Sequence, residues 1–110
     1  MKQRVAITGI GAITPIGSGV DELWAGVRAG RSSIRAIGRF NPDYSASKVA
    51  GEVDFDPLQH MAPKRARRLD RFSQFALVSS QMALADAGMS AHEAACAGAG
   101  IYIGSALGGV

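Results

Sequence analysis

Arg4-Val5-Ala6-Ile7-Thr8 is a short apolar run, β-branched at Val5, Ile7 and Thr8, and Gly9 and Gly11 break it. A run of this length and make-up reads as a strand buried on both faces. Lys2 and Arg4 ahead of Val5 to Ile16 loosely resemble a secretory leader. Gly9, Gly11 and Pro15 interrupt that stretch and no A-x-A site follows, so the strand is preferred. Pro15, Gly17 and Gly19 make a loop. From Val20 the period changes: Val20, Leu23, Trp24 and Val27 follow the i, i+3, i+4, i+7 stripe of a helix. Ser18 is its expected N-cap, Asp21 and Glu22 suit its first turn, and Gly30 suits its end.

Outward from there, residues 31–59 carry Gly38, Pro42, Gly51 and Pro57 and read as irregular connection, with a strand candidate at Val49 to Val53. A second helix is expected from about Asp70 to Ala87, stopped by Gly88. Phe72, Phe75, Ala76, Met82 and Ala83 form one stripe of it, while Leu77, Val78 and Leu84 fall elsewhere, which predicts burial on more than one side. Ser90 and Glu93 spell a capping box. Gly100 to Ser105 reads as another buried strand, ahead of the loop Gly104-Ser105-Ala106-Leu107-Gly108-Gly109. Strands separated by helices imply an α/β layered sheet. Two buried strands cannot make a sheet covered on both faces, so the chain reads as the beginning of something larger.

Composition narrows the function. Nineteen alanines and 14 glycines against seven aromatics suit close backbone approach more than bulky packing. No run of 18 apolar residues exists, so no membrane span is expected. One cysteine excludes an internal disulfide framework, and a reducing, cytoplasmic setting is the simplest expectation. A dinucleotide fingerprint fails: the third glycine's position holds Thr14, and Arg28 and Arg31 stand where an acid is needed. Cys96, within Ala94-Ala95-Cys96-Ala97, is read as having no His or Asp spaced to activate it and is expected to be an inert small hydrophobe. His60 and His92 are read as single, so no metal site is expected and capping or surface roles are assigned to both.

The net charge of +3 is mild, but five cations crowd Lys64 to Arg71. At 100° per residue, Lys64, Arg67, Arg68 and Arg71 share one helical face, which attracts phosphates, carboxylates or an acidic protein. Aromatics do not interleave with these cations, which argues against nucleic acid. A solvated helix start with no partner is the plain alternative.

The ordered set of motifs resembles the β-ketoacyl-acyl-carrier-protein synthases, nearest their type II, elongating branch. The opening run with Thr14-Pro15-Ile16-Gly17 is similar to the family's start. Trp24, Gly30-Arg31-Ser32-Ser33-Ile34, Phe40, Ala50-Gly51-Glu52-Val53, Leu69-Asp70-Arg71-Phe72, Ala85-Asp86-Ala87-Gly88 and the final glycine loop follow in order. The resemblance implies an α/β, thiolase-like αβαβα sandwich. Residues 1–110 would supply its first strands and helices as an incomplete N-terminal segment. It implies a cytoplasmic homodimer that condenses malonyl-carrier protein with an enzyme-bound acyl thioester in fatty-acid elongation. No cofactor would be bound by this chain; the phosphopantetheine arm would arrive on acyl carrier protein. The family's nucleophilic cysteine and histidines lie outside the matched stretch, Cys96 lacks the Thr-Ala-Cys context, and no catalytic residue is named. Lys64, Arg67 and Arg68 match carrier-protein docking positions. Leu107 matches an acyl-pocket gate, and Gly104, Gly108 and Gly109 belong to its flexible loop. Alone, the chain is expected to be inactive and to fold poorly. A polyketide ketosynthase segment and a non-catalytic module binding an acidic carrier protein are the alternatives.

Overall fold

The computed structural model describes residues 2–109. Its contacts divide the chain into two units, one of Ile13–Phe55 and the other of the residues up to Ala12 together with those from Asp56 onward.

In the Ile13–Phe55 unit, Thr14 organises the Thr14-Pro15-Ile16-Gly17 turn. Its hydroxyl donates to Gly17 O at 2.9 Å and accepts from the Ile16 and Gly17 amides at 3.2 Å each. The turn is closed by an isolated antiparallel bridge between Ile13 and Ser18. Helix α1 (Val20–Arg28) follows, capped by Gly19 at φ +92° rather than by Ser18. Ser18 lies one residue outside the cap because glycine alone takes that backbone conformation easily; its amide instead donates to Glu22 Oε2 at 2.9 Å. Gly26, the buried residue of α1, faces the turn: a β-carbon there would overlap Ile16 Cγ2 and sit 3.0 Å from Arg31 Nη2. Arg31 Nη2 also donates to Ile16 O at 3.1 Å. The predicted apolar stripe is real as a helix, yet Trp24 and Val27 on it remain exposed.

Beyond α1, β1 (Arg35–Ala36) pairs antiparallel with β2 (Val49–Ala50), Arg35 opposite Ala50. The predicted strand to Val53 therefore stops early, and side chains replace the ladder. Glu52 accepts the Gly38 amide at 3.1 and 3.2 Å and the Arg39 amide at 3.0 Å. Arg35 makes a two-pronged bond to Asp54 at 2.8 and 3.2 Å and lies 3.8 Å from Glu52. The Gly38 amide above all holds the Glu52 carboxyl below its ordinary range, and the Arg35 guanidinium does the same for Asp54.

The other unit is built on helix α3 (Arg71–Asp86), preceded by a 3₁₀ turn at Pro57–Gln59 and the one-turn α2 (Pro63–Ala66), and followed by α4 (Ala91–Cys96). Asp56 caps the 3₁₀ turn by accepting Leu58 N–H at 3.0 Å, and His60 stands at its C-terminal cap. The Ser90–Glu93 capping box forms as expected. Helices α1, α3 and α4 all end in one way, with Gly30, Gly88 and Gly98 at φ of +63°, +67° and +71°. For α3, Gly88 N–H bonds to Ala85 O and Met89 N–H to Leu84 O, the reciprocal pair of a Schellman motif.

Gly9 and Gly11 lie against α3. A β-carbon at Gly9 would overlap Ala83 O and sit 2.7 Å from Ala87 N; one at Gly11 would overlap Ser79 O and sit 2.8 Å from Ala83 N. Two residues of extended chain advance about 6.6 Å and four of helix about 6 Å, so alternate glycines can meet successive turns. Ile10 N–H donates to Asp86 Oδ2 at 2.9 Å beside them.

The strands predicted at 4–8 and 100–105 form no ladder among the described residues. A strand needs a neighbour about 4.8 Å away to take its amides, and neither segment has one here. Val5 is 93% exposed and Tyr102 96%. The α3 stripe is also corrected: Val78 is buried at 2% exposure and Gln74 is buried, whereas Phe72 is partly exposed. Phe75 shares the intermediate burial of Ala76 and Leu77.

Candidate functional site

The basic stretch is not one helix. Helix α2 ends at Ala66, Arg67 is its C-cap, and Asp70 starts α3 in an extended conformation. The shared face predicted for Lys64, Arg67, Arg68 and Arg71 is thus interrupted, and the cations are displayed on a helix–turn–helix corner. Lys64, Arg65, Arg67 and Arg68 are all exposed, and none is in an ion pair among the described residues. Arg71 belongs to the next helix, its guanidinium 4.9 Å above the Phe75 ring.

Gln74, a residue the sequence patterns passed over, holds this corner. Its side-chain amide donates to Ala66 O at 2.9 Å and to Leu69 O at 3.1 Å. Where α2 stops these carbonyls lose the donors a continuing helix would give; Ala66 O keeps only a long 3.4 Å bond from Leu69 N–H, and a buried carbonyl short of donors is costly. Ala66, between the cations, is buried. A buried glutamine and a buried alanine anchor the turn, so its cations point to solvent from a fixed base. The available signal was an amide one turn inside α3, with Phe75, Ala76, Leu77 and Val78 directly after it.

The loop of residues 104–109 lies in the same unit. Gly108 has φ +66°, its amide donates to Ser105 Oγ at 3.1 Å, and its missing β-carbon faces Phe72 Cζ at 3.6 Å. Gly109 lies against Asp70, where a β-carbon would overlap Oδ2, whereas Gly104 has open space around it. Leu107, between them, is 79% exposed. Two of the three loop glycines thus have a local geometric reason and Gly104 has none.

Cys96 has a neighbour that the sequence reading missed. His92 is one turn earlier on α4, with Nε2 3.6 Å from Sγ, and both residues are exposed. The thiol is therefore not an isolated hydrophobe; the i, i+4 spacing of His and Cys was the signal. Among the described residues no group of three or more His, Cys, Asp or Glu is placed to hold a metal. No helix among them is long and apolar enough to cross a membrane.

Residues 2–109 match the β-ketoacyl synthase N-terminal domain. A 3-oxoacyl-[acyl-carrier-protein] synthase 2 of Synechocystis sp. is 43% identical over 110 residues, covering 99% of this chain and 26% of that protein. A putative polyketide β-ketoacyl synthase 1 of Streptomyces cyaneus is 41% identical, with the same coverage. Among solved structures, the ishigamide ketosynthase/chain length factor superposes with a TM-score of 0.73 at 40% identity, over 84% of this chain and 23% of that one. A β-ketoacyl synthase from Burkholderia phymatum gives 0.65 at 35% identity, over the same shares. The chain spans about a quarter of the length of these curated relatives. Its fold is that of the matching part of a ketosynthase, an α/β arrangement of thiolase-like type, and its relatives are acyl-condensing enzymes. On sequence and structure alike, the chain belongs to the β-ketoacyl synthase family.

Proposed function

We propose that this chain is the opening segment of a 3-oxoacyl-[acyl-carrier-protein] synthase, cytoplasmic and homodimeric when complete, acting in fatty-acid elongation. The reaction is decarboxylative: malonyl-carrier protein loses CO₂, its carbanion attacks an enzyme-bound acyl thioester, and the enzyme thiol leaves. That thiol belongs to the remainder of the synthase and not to Cys96, so the segment by itself is inactive in condensation. Its own part is reception. Lys64, Arg67 and Arg68 attract the acidic face of acyl carrier protein, which brings the phosphopantetheine arm. Leu107, on its glycine loop, gates the acyl pocket.

The observation that carries this reading is the corner of Lys64, Arg65, Arg67 and Arg68, exposed, in no ion pair among the described residues, and held from beneath by Gln74. Cations already neutralised by acids would contribute little to steering, and free ones raise the encounter rate with an acidic partner. Arg67→Glu with Arg68→Glu, in the synthase carrying this segment, is expected to weaken acyl-carrier-protein binding about tenfold or more and to flatten its salt dependence. Unchanged affinity in a calorimetric titration at two salt concentrations would overturn the docking assignment. Polyketide duty is the second reading, favoured by the Streptomyces cyaneus relative; mass analysis of the product distinguishes a singly extended acyl chain from a poly-β-keto one.

A further inference from the structure

The His92–Cys96 pair is used by neither the docking corner nor the glycine loop. It stands on α4, whose start is fixed by the Ser90–Glu93 capping box and whose end is fixed by Gly98. The two side chains leave the same face one turn apart, the spacing at which helical neighbours meet. Their donor atoms, Cys96 Sγ and His92 Nε2, are 3.6 Å apart.

That separation has a specific chemical meaning. Zinc binds thiolate sulfur at about 2.3 Å and imidazole nitrogen at about 2.0–2.1 Å, and a tetrahedral angle between those bonds puts sulfur and nitrogen about 3.6 Å apart. The pair, now in hydrogen-bond contact, is spaced at the bite of a tetrahedral chelate. Glu93, the acid nearest in sequence, is occupied by the capping box, where it accepts the Ser90 amide at 2.7 Å. The remaining residues of α4 are alanines, so no bulky side chain on this helix competes for the space above the pair.

We propose that His92 Nε2 and Cys96 Sγ form a two-residue surface site for a thiophilic divalent cation of the zinc class, completed by water. Binding exchanges the thiol proton for the metal: sulfur coordinates as thiolate, the proton goes to solvent, and the imidazole binds as the neutral base. Mixed sulfur and nitrogen donors in tetrahedral array select zinc-like ions over magnesium or calcium, which take oxygen. The site does not depend on carrier-protein docking, and losing one would leave the other.

The test uses the synthase carrying this segment, kept reduced by a phosphine that does not compete for metal, and cobalt(II) as the optical probe. Cobalt should produce a sulfur-to-metal charge-transfer band, and zinc should abolish it. Cys96→Ser should remove the band. His92→Gln should weaken cobalt and zinc binding about tenfold or more, as expected when one of two protein ligands is lost. His60→Gln should change neither, and both site residues are exposed, so far-ultraviolet dichroism should be unaltered in every variant. No charge-transfer band in the wild-type synthase, or one that survives Cys96→Ser, would overturn the proposal. So would a His92→Gln variant that keeps the wild-type affinity, because the thiol would then be acting alone.

Discussion

The two units hold themselves together by different means. The Ile13–Phe55 unit relies on polar side chains closing short loops: the Thr14 hydroxyl in its turn, Glu52 on the Gly38 and Arg39 amides, and Arg35 on Asp54. The Thr14 bonds are part-buried, whereas the Arg35–Asp54 pair lies at the surface, where an ion pair is worth little, and the Glu52 and Asp54 carboxylates are open to pH. The unit around α3 relies on backbone pressed against backbone at Gly9 and Gly11, with buried Val78 and Gln74 within the same helix. Contacts of the second kind tolerate no added atoms. Contacts of the first kind yield by a few tenths of an ångström and re-form.

The strongest way to break that contrast is to add a β-carbon to each unit. Gly11→Val should cost about 3 kcal/mol, since its new atoms meet the Ser79 carbonyl and helix backbone cannot retreat. Gly51→Ala meets Pro15 Cγ at 3.2 Å and Ile34 Cδ1 at 3.4 Å, which are side-chain edges. It should cost under about 1 kcal/mol. Urea unfolding of both variants measures the difference, and equal losses would erase the distinction between the units.

A control of intermediate size should show no contrast. Gly30→Ala and Gly88→Ala place a side chain at positive φ with nothing within 4 Å, one in each unit. Each should cost about 1–2 kcal/mol from backbone strain alone. A much larger loss at Gly88 would mean that the α3 end carries tertiary contacts beyond its cap.

The smallest effect is that of acid. Glu52 and Asp54 have lowered carboxyl pKa values in the folded chain. Their contribution is complete above the ordinary carboxylate range and is lost as pH falls through the lowered values, below about pH 4. Hydrogen-exchange protection of the Ile37 amide, bonded to Lys48 O beside this cluster, should fall in that window. In Glu52→Gln the fall should be shallower. Glu93 is lowered too, chiefly by the Ser90 amide, so Ala94, whose amide bonds to Ser90 O, should lose protection with the same sign.

Local signals in the sequence carried far. The period of α1, the long α3, the Ser90–Glu93 box and the glycine stops at 30 and 88 are all present, because each is decided within a few residues. What failed depended on distant partners. Strand pairing at 4–8 and 100–105 cannot be read from apolar runs, since a ladder belongs to two segments at once. The break at Arg67 was hidden because the cations keep helical spacing through it. What permits it is Gln74, which supplies donors to the carbonyls that the break exposes. The docking corner was legible as charge and illegible as shape. The His92–Cys96 relation was legible as i, i+4 spacing, contrary to the reading that no His is spaced to reach Cys96.

The two glycines on α3 have one more consequence. They act like two teeth of a comb set to the pitch of the helix they meet. Sliding the chain by a single residue would drive Ile10 or Thr8 onto a carbonyl where only hydrogen fits, and sliding it by two would bring Ile13 or Ile7 to one of the two contacts, so one seating alone is permitted. The N-terminal segment thus has one register on α3, and a deletion of one residue before Gly9 should leave this seating untouched while a deletion between Gly9 and Gly11 should destroy it.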